Sequence, residues 1–280
     1  YLLAVMLIGS RQLGMLILMH DGAHGMLART PALNRFLAQW LCAYPMLADC
    51  DLYRRYHLQH HARTMQDDDP DLVLTGHYPI PRSSLRRKLL RDLLGRTGFA
   101  QRRDQFLAAL GPREDAWRGR LNRLRLKLGP QLAFNFGLLA LLTASGHWLY
   151  YFTLWVLPAL TWQQLVLRIR NIAEHAAIPD RNDPFKNART TVVNGIERAL
   201  IAPYWVNYHL EHHLLMWVPC YRLPLLRRFL FENGYGDRVV TVYGYWDVLR
   251  DVSFPDHLAD PASARARQRA VGTFGEGFKI

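Results

Sequence analysis

The chain has 280 residues, half of them hydrophobic, and a formal net charge of +12. That length allows one large domain or two small ones, and the basic excess favours a negatively charged partner, either nucleic acid or a membrane surface. We find no basic nucleic-acid-binding motif and expect no nucleic-acid partner. The three cysteines are unpatterned and give no sign of a disulfide framework.

The first apolar stretch runs from Tyr1 to Met19, interrupted by Arg11 and Gln12. Its length predicts a membrane span, and no small-residue cleavage site follows that would favour a signal peptide instead. We expect Arg11 to face the protein interior rather than snorkel to the membrane surface. No initiator Met precedes the stretch, so we expect that an earlier span is missing from this sequence.

The next segment, "PALNRFLAQWLCAYPML", predicts an interfacial or half-buried helix with Pro31 at its start. We expect "DLYRRYHLQHH" to continue as helix and "QDDDPDL" to end it in a turn. The basic region Arg82 to Lys127, broken by glycines, predicts surface helices at the level of the lipid headgroups.

From Leu128 to Leu167 the chain contains no Asp, Glu, Lys or Arg, which predicts a hairpin of two membrane spans. "TASGHW" is the expected turn, and Pro158 is expected to kink the second span. Beyond it we expect "LRIRNIAEHA" to leave the membrane, "DRNDPFKNARTT" to form a polar loop, and "RALIAPYWVNYHLEHH" to be helical. The polar tail, residues 261–280, is expected to be disordered.

Basic residues flank this hairpin and are absent from its turn. Nineteen Lys and Arg lie between Arg29 and Lys127, and fifteen lie from Arg168 onward. By the positive-inside rule both large polar regions are cytoplasmic. The sequence therefore predicts an all-α integral membrane protein with transmembrane hairpins and a cytoplasmic helical cap.

Histidines are concentrated in four places, three of them clusters. "HDGAH" contains His20 and His24, whereas "HLQHH" and "HLEHH" share the spacing H-x-x-H-H; His175 stands alone, with Asn171 four residues before it. Residues three or four apart share a helix face, so each cluster directs two or three imidazoles at one place. Neutral imidazole binds iron, copper, nickel and zinc, and this many rings exceeds what one ion needs. The pattern predicts a histidine-rich dimetal site.

Several other residues have two open interpretations. His77, His147 and His257 belong to no cluster and are expected to be ordinary core or surface residues. Asp21, Glu174 and Glu211 adjoin histidines and either orient the rings or act as solvated or capping carboxylates. The acidic residues after the second cluster either support the metals or form a turn; they are Asp67, Asp68, Asp69 and Asp71.

At this point the chain resembles the membrane-bound fatty acid desaturases. "HDGAH", "HLQHH" and "YHLEHH" are similar, in order, to that family's three histidine boxes, "NIAEH" to its additional Asn and His, and "HLEHHLLMWVPCYRLP" to the acyl-lipid branch. The resemblance covers nearly all of residues 1–280 and implies one domain with four spans and a cytoplasmic cap holding two irons. It implies Asn171 as a ligand acting through water, and as direct iron ligands His20, His24, His57, His60, His61, His175, His209, His212 and His213.

The resemblance also implies O2-dependent introduction of a double bond into an acyl lipid or acyl thioester at a membrane. Because no flavin, haem or fused electron-carrier motif is visible, it implies a separate small electron donor such as ferredoxin. The alternative is hydroxylation or ketolation of a lipid or carotenoid on the same scaffold, since carotenoid ketolases share "HDGAH" and the last box. "VPCYRLP" and the long sequence after His213 favour the desaturase. A non-catalytic metal-binding membrane protein is the third hypothesis.

Overall fold

The computed structural model describes residues 1–258 and is mainly helical. Its α-helices are α1 (Leu2–Ala23), α2 (Pro31–Phe36), α3 (Cys50–Ala62), α4 (Leu72–Thr75), α5 (Arg82–Leu93), α6 (Arg96–Leu110), α7 (Trp117–Ala144), α8 (Trp148–Tyr150), α9 (Leu157–Leu160), α10 (Trp162–His175), α11 (Gly195–Leu200), α12 (His209–Leu214), α13 (Leu223–Glu232) and α14 (Tyr245–Asp251). Residues 261–280, predicted to be disordered, lie outside the described part of the chain.

Within residues 1–258 the structure also contains four very short strands, which the sequence did not predict. They form two parallel pairs, in which β1 pairs with β4 and β2 pairs with β3. These strands are β1 (Ile80–Pro81), β2 (Thr190–Val192), β3 (Thr241–Tyr243) and β4 (Ser253–Phe254). Strands of two or three residues are too short to show an alternating pattern, which is why the sequence predicted none. The segment predicted as a polar loop, "DRNDPFKNARTT", therefore ends in a strand.

Two of the described helices, α1 and α7, are long and apolar enough to cross a membrane, judged by length and composition. Apolar side chains on α7 are largely exposed, for example Phe136 at 64% and Leu141 at 66%. Arg11 on α1 is exposed, but its guanidinium donates a hydrogen bond to the carbonyl of Ala199 at 2.6 Å. The expected interior position of Arg11 is therefore only partly realised, since its head group bonds to protein while its side chain stays accessible.

The predicted hairpin has its turn where expected but a different second arm. Helix α7 ends at Ala144, Gly146 has a left-handed φ of 79°, and helix resumes at Trp148. The second arm is not one continuous span to Leu167, because a π-helix occupies Tyr151–Val156 and the backbone breaks at Thr161. The break follows Pro158 by three residues rather than coinciding with it. Helix α10 then starts in a new direction toward the histidines.

The basic region from Arg82 to Lys127 is helical and broken at glycines, as predicted, and it contains α5, α6 and the start of α7. Gly95, with φ 75°, separates α5 from α6, and Gly111, also at φ 75°, ends α6. A side chain at either position would be strained in this backbone conformation. Helix α6 also packs closely on the broken second arm.

The segment before the second histidine cluster is two helical pieces, so the prediction of one continuing helix is wrong. Helix α2 continues as a π-helix, Leu37–Ala43, and ends in a 3₁₀ turn at Tyr44–Met46. Leu47 then adopts a left-handed conformation, and α3 starts afresh. The Asp49 carboxylate caps α3 by accepting hydrogen bonds from the amides of Asp51 and Leu52. Such a cap contributes about 1 kcal/mol of helix stability.

The segment before the last histidine cluster is also broken, which corrects the prediction of one helix. Between α11 and α12 lies a 3₁₀ turn, Pro203–Trp205, in which Tyr204 and Trp205 have left-handed φ values of 52° and 55°. Pro203 cannot donate the hydrogen bond that a continuous helix needs. Helix α12 therefore begins at His209, and three of its six residues are histidines.

The main apolar core lies where α1, α5, α10 and α14 pack together. Its fully buried members include Leu13, Val166, Val248 and Val252. A second core, around Met19 and Cys50, joins the end of α1 to the start of α3. These cores bring the C-terminal parts of α1, α3 and α10 to one place, where α12 completes the arrangement.

Candidate metal centre

All nine histidines predicted as ligands converge in two adjacent groups. Within each group one ligand atom from every residue lies within 4.8 Å of those of the others. Cluster 1 contains His20, His24, His57, His61 and His212, and cluster 2 contains His60, His175, His209 and His213. Four different helices contribute, so neither cluster exists until the chain has folded.

Each H-x-x-H-H box serves both clusters, which follows from helix geometry. Successive residues on an α-helix are about 100° apart, so positions four apart lie about 40° from each other. On α3 the pair His57 and His61 joins cluster 1, and His60 is turned toward cluster 2. On α12 the assignment is reversed, since His209 and His213 join cluster 2 and His212 joins cluster 1. The shared spacing thus lets each of the two helices contribute histidines to both clusters.

In cluster 2, imidazole nitrogens that carry lone pairs rather than protons lie very close to each other. The Nδ1–H of His175 donates to the carbonyl oxygen of Asn187 at 3.0 Å, which leaves a lone pair on Nε2 of the neutral ring. Nδ1 of His209 faces the Glu174 carboxylate at 3.3 Å, so its Nε2 is also an acceptor. These two Nε2 atoms lie 2.8 Å apart. Two facing lone pairs repel, and a cation between them removes the repulsion.

The other two rings of cluster 2 have the same orientation. Nδ1–H of His60 donates to Asp69 Oδ1 at 2.8 Å. The Thr64 hydroxyl donates to the carbonyl of His60 and lies 3.2 Å from His213 Nδ1, so it accepts from that nitrogen. The Nε2 atoms of His60 and His213 face each other at 3.3 Å. Four lone pairs therefore point inward, which fits a bound metal ion.

Cluster 1 shows two further features that fit a bound cation. Nε2 of His61 lies 2.9 Å from Nε2 of both His57 and His212. Nε2 of His24 is buried and has no hydrogen-bond partner. A buried nitrogen without a partner is destabilising by about 1–3 kcal/mol unless a ligand satisfies it. The donor set of cluster 1, five imidazoles, fits a transition metal ion.

Seven of the nine histidines have lowered pKa values, which favour the neutral form that binds metals. Burial, supplemented by the neighbouring imidazoles, lowers the pKa of His61 to about 2 and that of His175 to about 3. Burial also holds the pKa values of His209 and His212 well below the ordinary range. His60 differs, because Asp69 and Asp71 outweigh the effect of burial and raise its pKa. Neutral rings at physiological pH need lose no proton before they bind a metal.

The acidic residues near the histidines differ in what their carboxylates contact. Asp69 and Asp71 face His60 Nδ1 at 2.8 and 3.6 Å, whereas Asp67 and Asp68 lie at the surface beside arginines. Glu174 and Asp21 lie near His209 and His20, the latter pair at 3.5 Å. Glu211 is directed away from the rings and accepts hydrogen bonds from Arg227 at 2.8 Å and from the Thr190 hydroxyl.

Asn171 lies beside cluster 2 at a small cavity of about 30 Å³. His60, His175 and His209 of cluster 2 line the same cavity, together with His57 of cluster 1. A water molecule needs about 10–15 Å³, so one or two waters fit between Asn171 and the rings. A second cavity, of about 190 Å³, lies against His61 and His213 and is lined mainly by polar residues.

The three isolated histidines lie outside both clusters, as expected. His77 is half-buried, His147 and His257 are exposed, and none belongs to a metal-binding group in the described part of the chain. Several contacts around the site were missed at the sequence level, above all those of Thr64, Asn187 and Arg189. Thr64 lies three residues after His61, so a helical register could have indicated it. Asn187 acts through its backbone carbonyl, which leaves no signal in the side-chain pattern.

Comparisons with known proteins agree with this centre. A family model described as fatty acid desaturase matches residues 1–245 of the chain. The chain is also similar to dihydrorhizobitoxine desaturase from Bradyrhizobium elkanii, with 28% identity over 254 residues that cover 87% of this chain and 71% of that protein.

The contact between Asp69 and His60 provides a direct test of the ring orientation. The Asp69 carboxylate accepts from His60 and from the amides of Met65 and Asp71. Asp69→Asn replaces one acceptor oxygen by a donor, so at least one of these bonds is lost. We expect metal affinity at cluster 2 to fall about 10–100-fold, measured by cobalt or zinc titration of the purified apoprotein.

The matched control for this change is Asp68→Asn. Asp68 is exposed and pairs with Arg63 at the surface, so its replacement should leave metal affinity unchanged. Equal affinities for Asp69→Asn and the unmodified protein would show that the carboxylate does not orient His60.

Proposed function

The chain belongs to the fatty acid desaturase family, and from this premise we propose that it is a membrane-bound di-iron oxidoreductase that introduces a double bond into a fatty acyl chain. The observation that carries the proposal is the pair of contiguous imidazole clusters with lone pairs directed inward. Family membership and the desaturase relative support an oxidoreductase. The acyl substrate and the two irons are the proposed parts.

We infer one iron in each cluster, held by nitrogen ligands. Five and four imidazoles are more than one ion accommodates, and imidazole suits iron. Asn171 would complete cluster 2 through a water molecule in the 30 Å³ cavity. Bound iron would supply the activation of dioxygen, which zinc, having no redox chemistry, cannot do.

The protein's own residues supply orientation and exclusion of water. Asp69, Glu174 and the carbonyl of Asn187 hold the Nδ1 protons, so that each Nε2 is presented to the ion. Arg170 binds Glu174 with two hydrogen bonds, at 2.5 and 2.7 Å, which fixes the carboxylate. Because most of these rings are buried, competing hydrolytic and proton-transfer reactions are suppressed.

The overall reaction needs electrons from outside the substrate. Removal of two hydrogens from adjacent carbons yields two electrons, and reduction of one O2 to two waters takes four. An external donor therefore supplies two electrons and two protons enter from solvent. We propose a small separate carrier such as ferredoxin, docking on the basic surface that the +12 charge creates.

We propose that the enzyme is integral to a membrane, with the metal centre on the cytoplasmic side. Helices α1 and α7 meet the length and composition of spans, and α7 exposes most of its apolar surface. Lys and Arg flank the hairpin and are absent from its turn. An apolar substrate would then reach the centre from the bilayer. The B. elkanii relative carries the name of another substrate, dihydrorhizobitoxine, so lipid and polar extracts both need analysis.

Product analysis in an iron-replete host tests the proposed reaction. Expression of the chain with a ferredoxin system should yield a new unsaturated acyl species, and His212→Ala should abolish it because cluster 1 loses a ligand. His257→Ala, which changes an exposed ring outside both clusters, should retain full product. A hydroxylated or ketone product would support the alternative reaction, and no oxidised product in either extract would refute the enzyme.

Reporter fusions test the proposed orientation. A fusion at Ser145, in the hairpin turn, should report an external location, and a fusion after Lys279 should report the cytoplasm. The same location for both fusions would contradict the hairpin.

Substitution of Asn171 tests its proposed link to an iron through water. Asn171→Ala should lower turnover about 10–100-fold while leaving most iron bound, since the amide is not a direct ligand. His175→Ala should lose both turnover and the cluster 2 iron. Iron content comes from elemental analysis and turnover from product formation. Full turnover at unchanged iron content in Asn171→Ala would assign the residue a purely structural role.

A further inference from the structure

Helix α10 ends at the metal centre without the usual glycine cap. Its last residue is His175, Ala176 is already extended, and Ala177 has a left-handed φ of 50°. Helix C-termini leave backbone carbonyls unpaired, and a glycine in the left-handed position normally allows the chain to satisfy them. A Cβ makes this conformation unfavourable, so Ala177 requires support from elsewhere.

The support comes from the buried guanidinium of Arg189. Its Nη1 donates to the carbonyl of Ala173 at 3.3 Å, and its Nη2 donates to those of Ala176 at 2.9 Å and Ala177 at 3.4 Å. Arg189 is only 6% exposed. A cation at a helix C-terminus also interacts favourably with the helix dipole.

The residues beside Arg189 bind the same part of the centre. Two residues earlier, the carbonyl of Asn187 accepts from His175 Nδ1. The next residue, Thr190, donates its hydroxyl to Glu211 of α12, between His209 and His212 in sequence. Strand β2 thus joins the two helices that carry three of the four cluster 2 rings.

We propose that Arg189 is a positioning residue for cluster 2, which it serves by holding the left-handed C-terminal turn of α10 and thereby the place of His175. This inference rests on the proposed binding of one metal ion in each cluster. His175 Nε2 lies 2.8 Å from His209 Nε2, so a small displacement of the helix end changes the donor set. Cluster 1 takes no ligand from α10 and depends on Arg189 far less.

Cobalt titration of the apoprotein, followed by its ligand-field spectrum, tests the proposal without any need for turnover. Wild type should bind two equivalents. Arg189→Met should keep one cobalt at wild-type affinity and weaken the other about 10–100-fold. Arg189→Lys, which retains the charge and fewer donors, should show a smaller weakening. Arg102→Met is the matched control, because that half-buried arginine bonds Gln105 within its own helix α6 and should leave both equivalents intact.

A second change separates positioning from general loss of structure. Ala177→Gly removes the strain that Arg189 supports, so Arg189→Met/Ala177→Gly should recover part of the lost cobalt affinity and its spectrum. Two cobalt ions at wild-type affinity in Arg189→Met would overturn the proposal. So would equal weakening of both ions, or no recovery on adding Ala177→Gly.

If Arg189→Met does not accumulate as folded protein, the same comparison is made between Arg189→Lys and Arg189→Lys/Ala177→Gly, and the same results support or overturn the proposal. Failure of wild type to bind two equivalents would instead refute the dimetal centre. The two failures are therefore distinguishable.

Discussion

The repulsion between inward-facing imidazole lone pairs is the constraint on which the rest of the structure depends. In cluster 2, acceptors outside the ring of nitrogens take the Nδ1 protons, and the Nε2 atoms then approach to 2.8 Å and 3.3 Å. Each buried nitrogen left without a partner is destabilising by about 1–3 kcal/mol. His24 Nε2 in cluster 1 is such a nitrogen, and a bound ion would turn this position and the facing lone pairs of cluster 2 into favourable contacts.

The helix ends that carry the histidines are consequently fixed by polar contacts rather than by apolar packing alone. Asp49 caps the start of α3, and Asp21 at the end of α1 accepts a hydrogen bond from the amide of Cys220 at 2.9 Å. Arg227 binds Glu211 on α12. Most of these groups are buried, so the contacts have defined geometry and hold the rings against their mutual repulsion. Apolar cores set the helix directions, and the polar contacts set the positions of their ends.

Local sequence was sufficient to predict that these histidines come together and insufficient to predict what orients their rings. The spacings His57–His61 and His209–His213 follow from helix periodicity, so the convergence of rings could be predicted from the chain alone. The division of each box between two clusters needs the relative placement of α3 and α12, which no local pattern contains. Asn187 acts through a carbonyl and Arg189 lies in a segment interpreted as a polar loop, so their contacts are visible only in three dimensions.

The local sequence pattern also predicted two helices that are longer than those in the structure. Apolar and aromatic residues continue through Leu47 and through Tyr204, and both residues adopt left-handed conformations that end the helices. In each case the break precedes a helix that carries a histidine box. An uninterrupted helix would have fixed the direction of α3 or α12 by the segment before it. Because of the breaks, the preceding segments do not determine the directions of α3 and α12. Each of these helices is instead oriented by its contacts at the candidate metal centre.

The two cavities against the clusters have no lining residue in common. One contacts three rings of cluster 2 and His57 of cluster 1 beside Asn171, and the other contacts His61 and His213 among polar residues. A centre bounded in this way has two chemically different sides. The smaller cavity holds only a water or two and adjoins the cluster with fewer rings, which is where an open ligand position is expected. The larger polar cavity adjoins one ring of each cluster, and these two rings, His61 and His213, are stacked with centroids 4.3 Å apart. That pair therefore connects the polar cavity to both proposed ions through a single ring each.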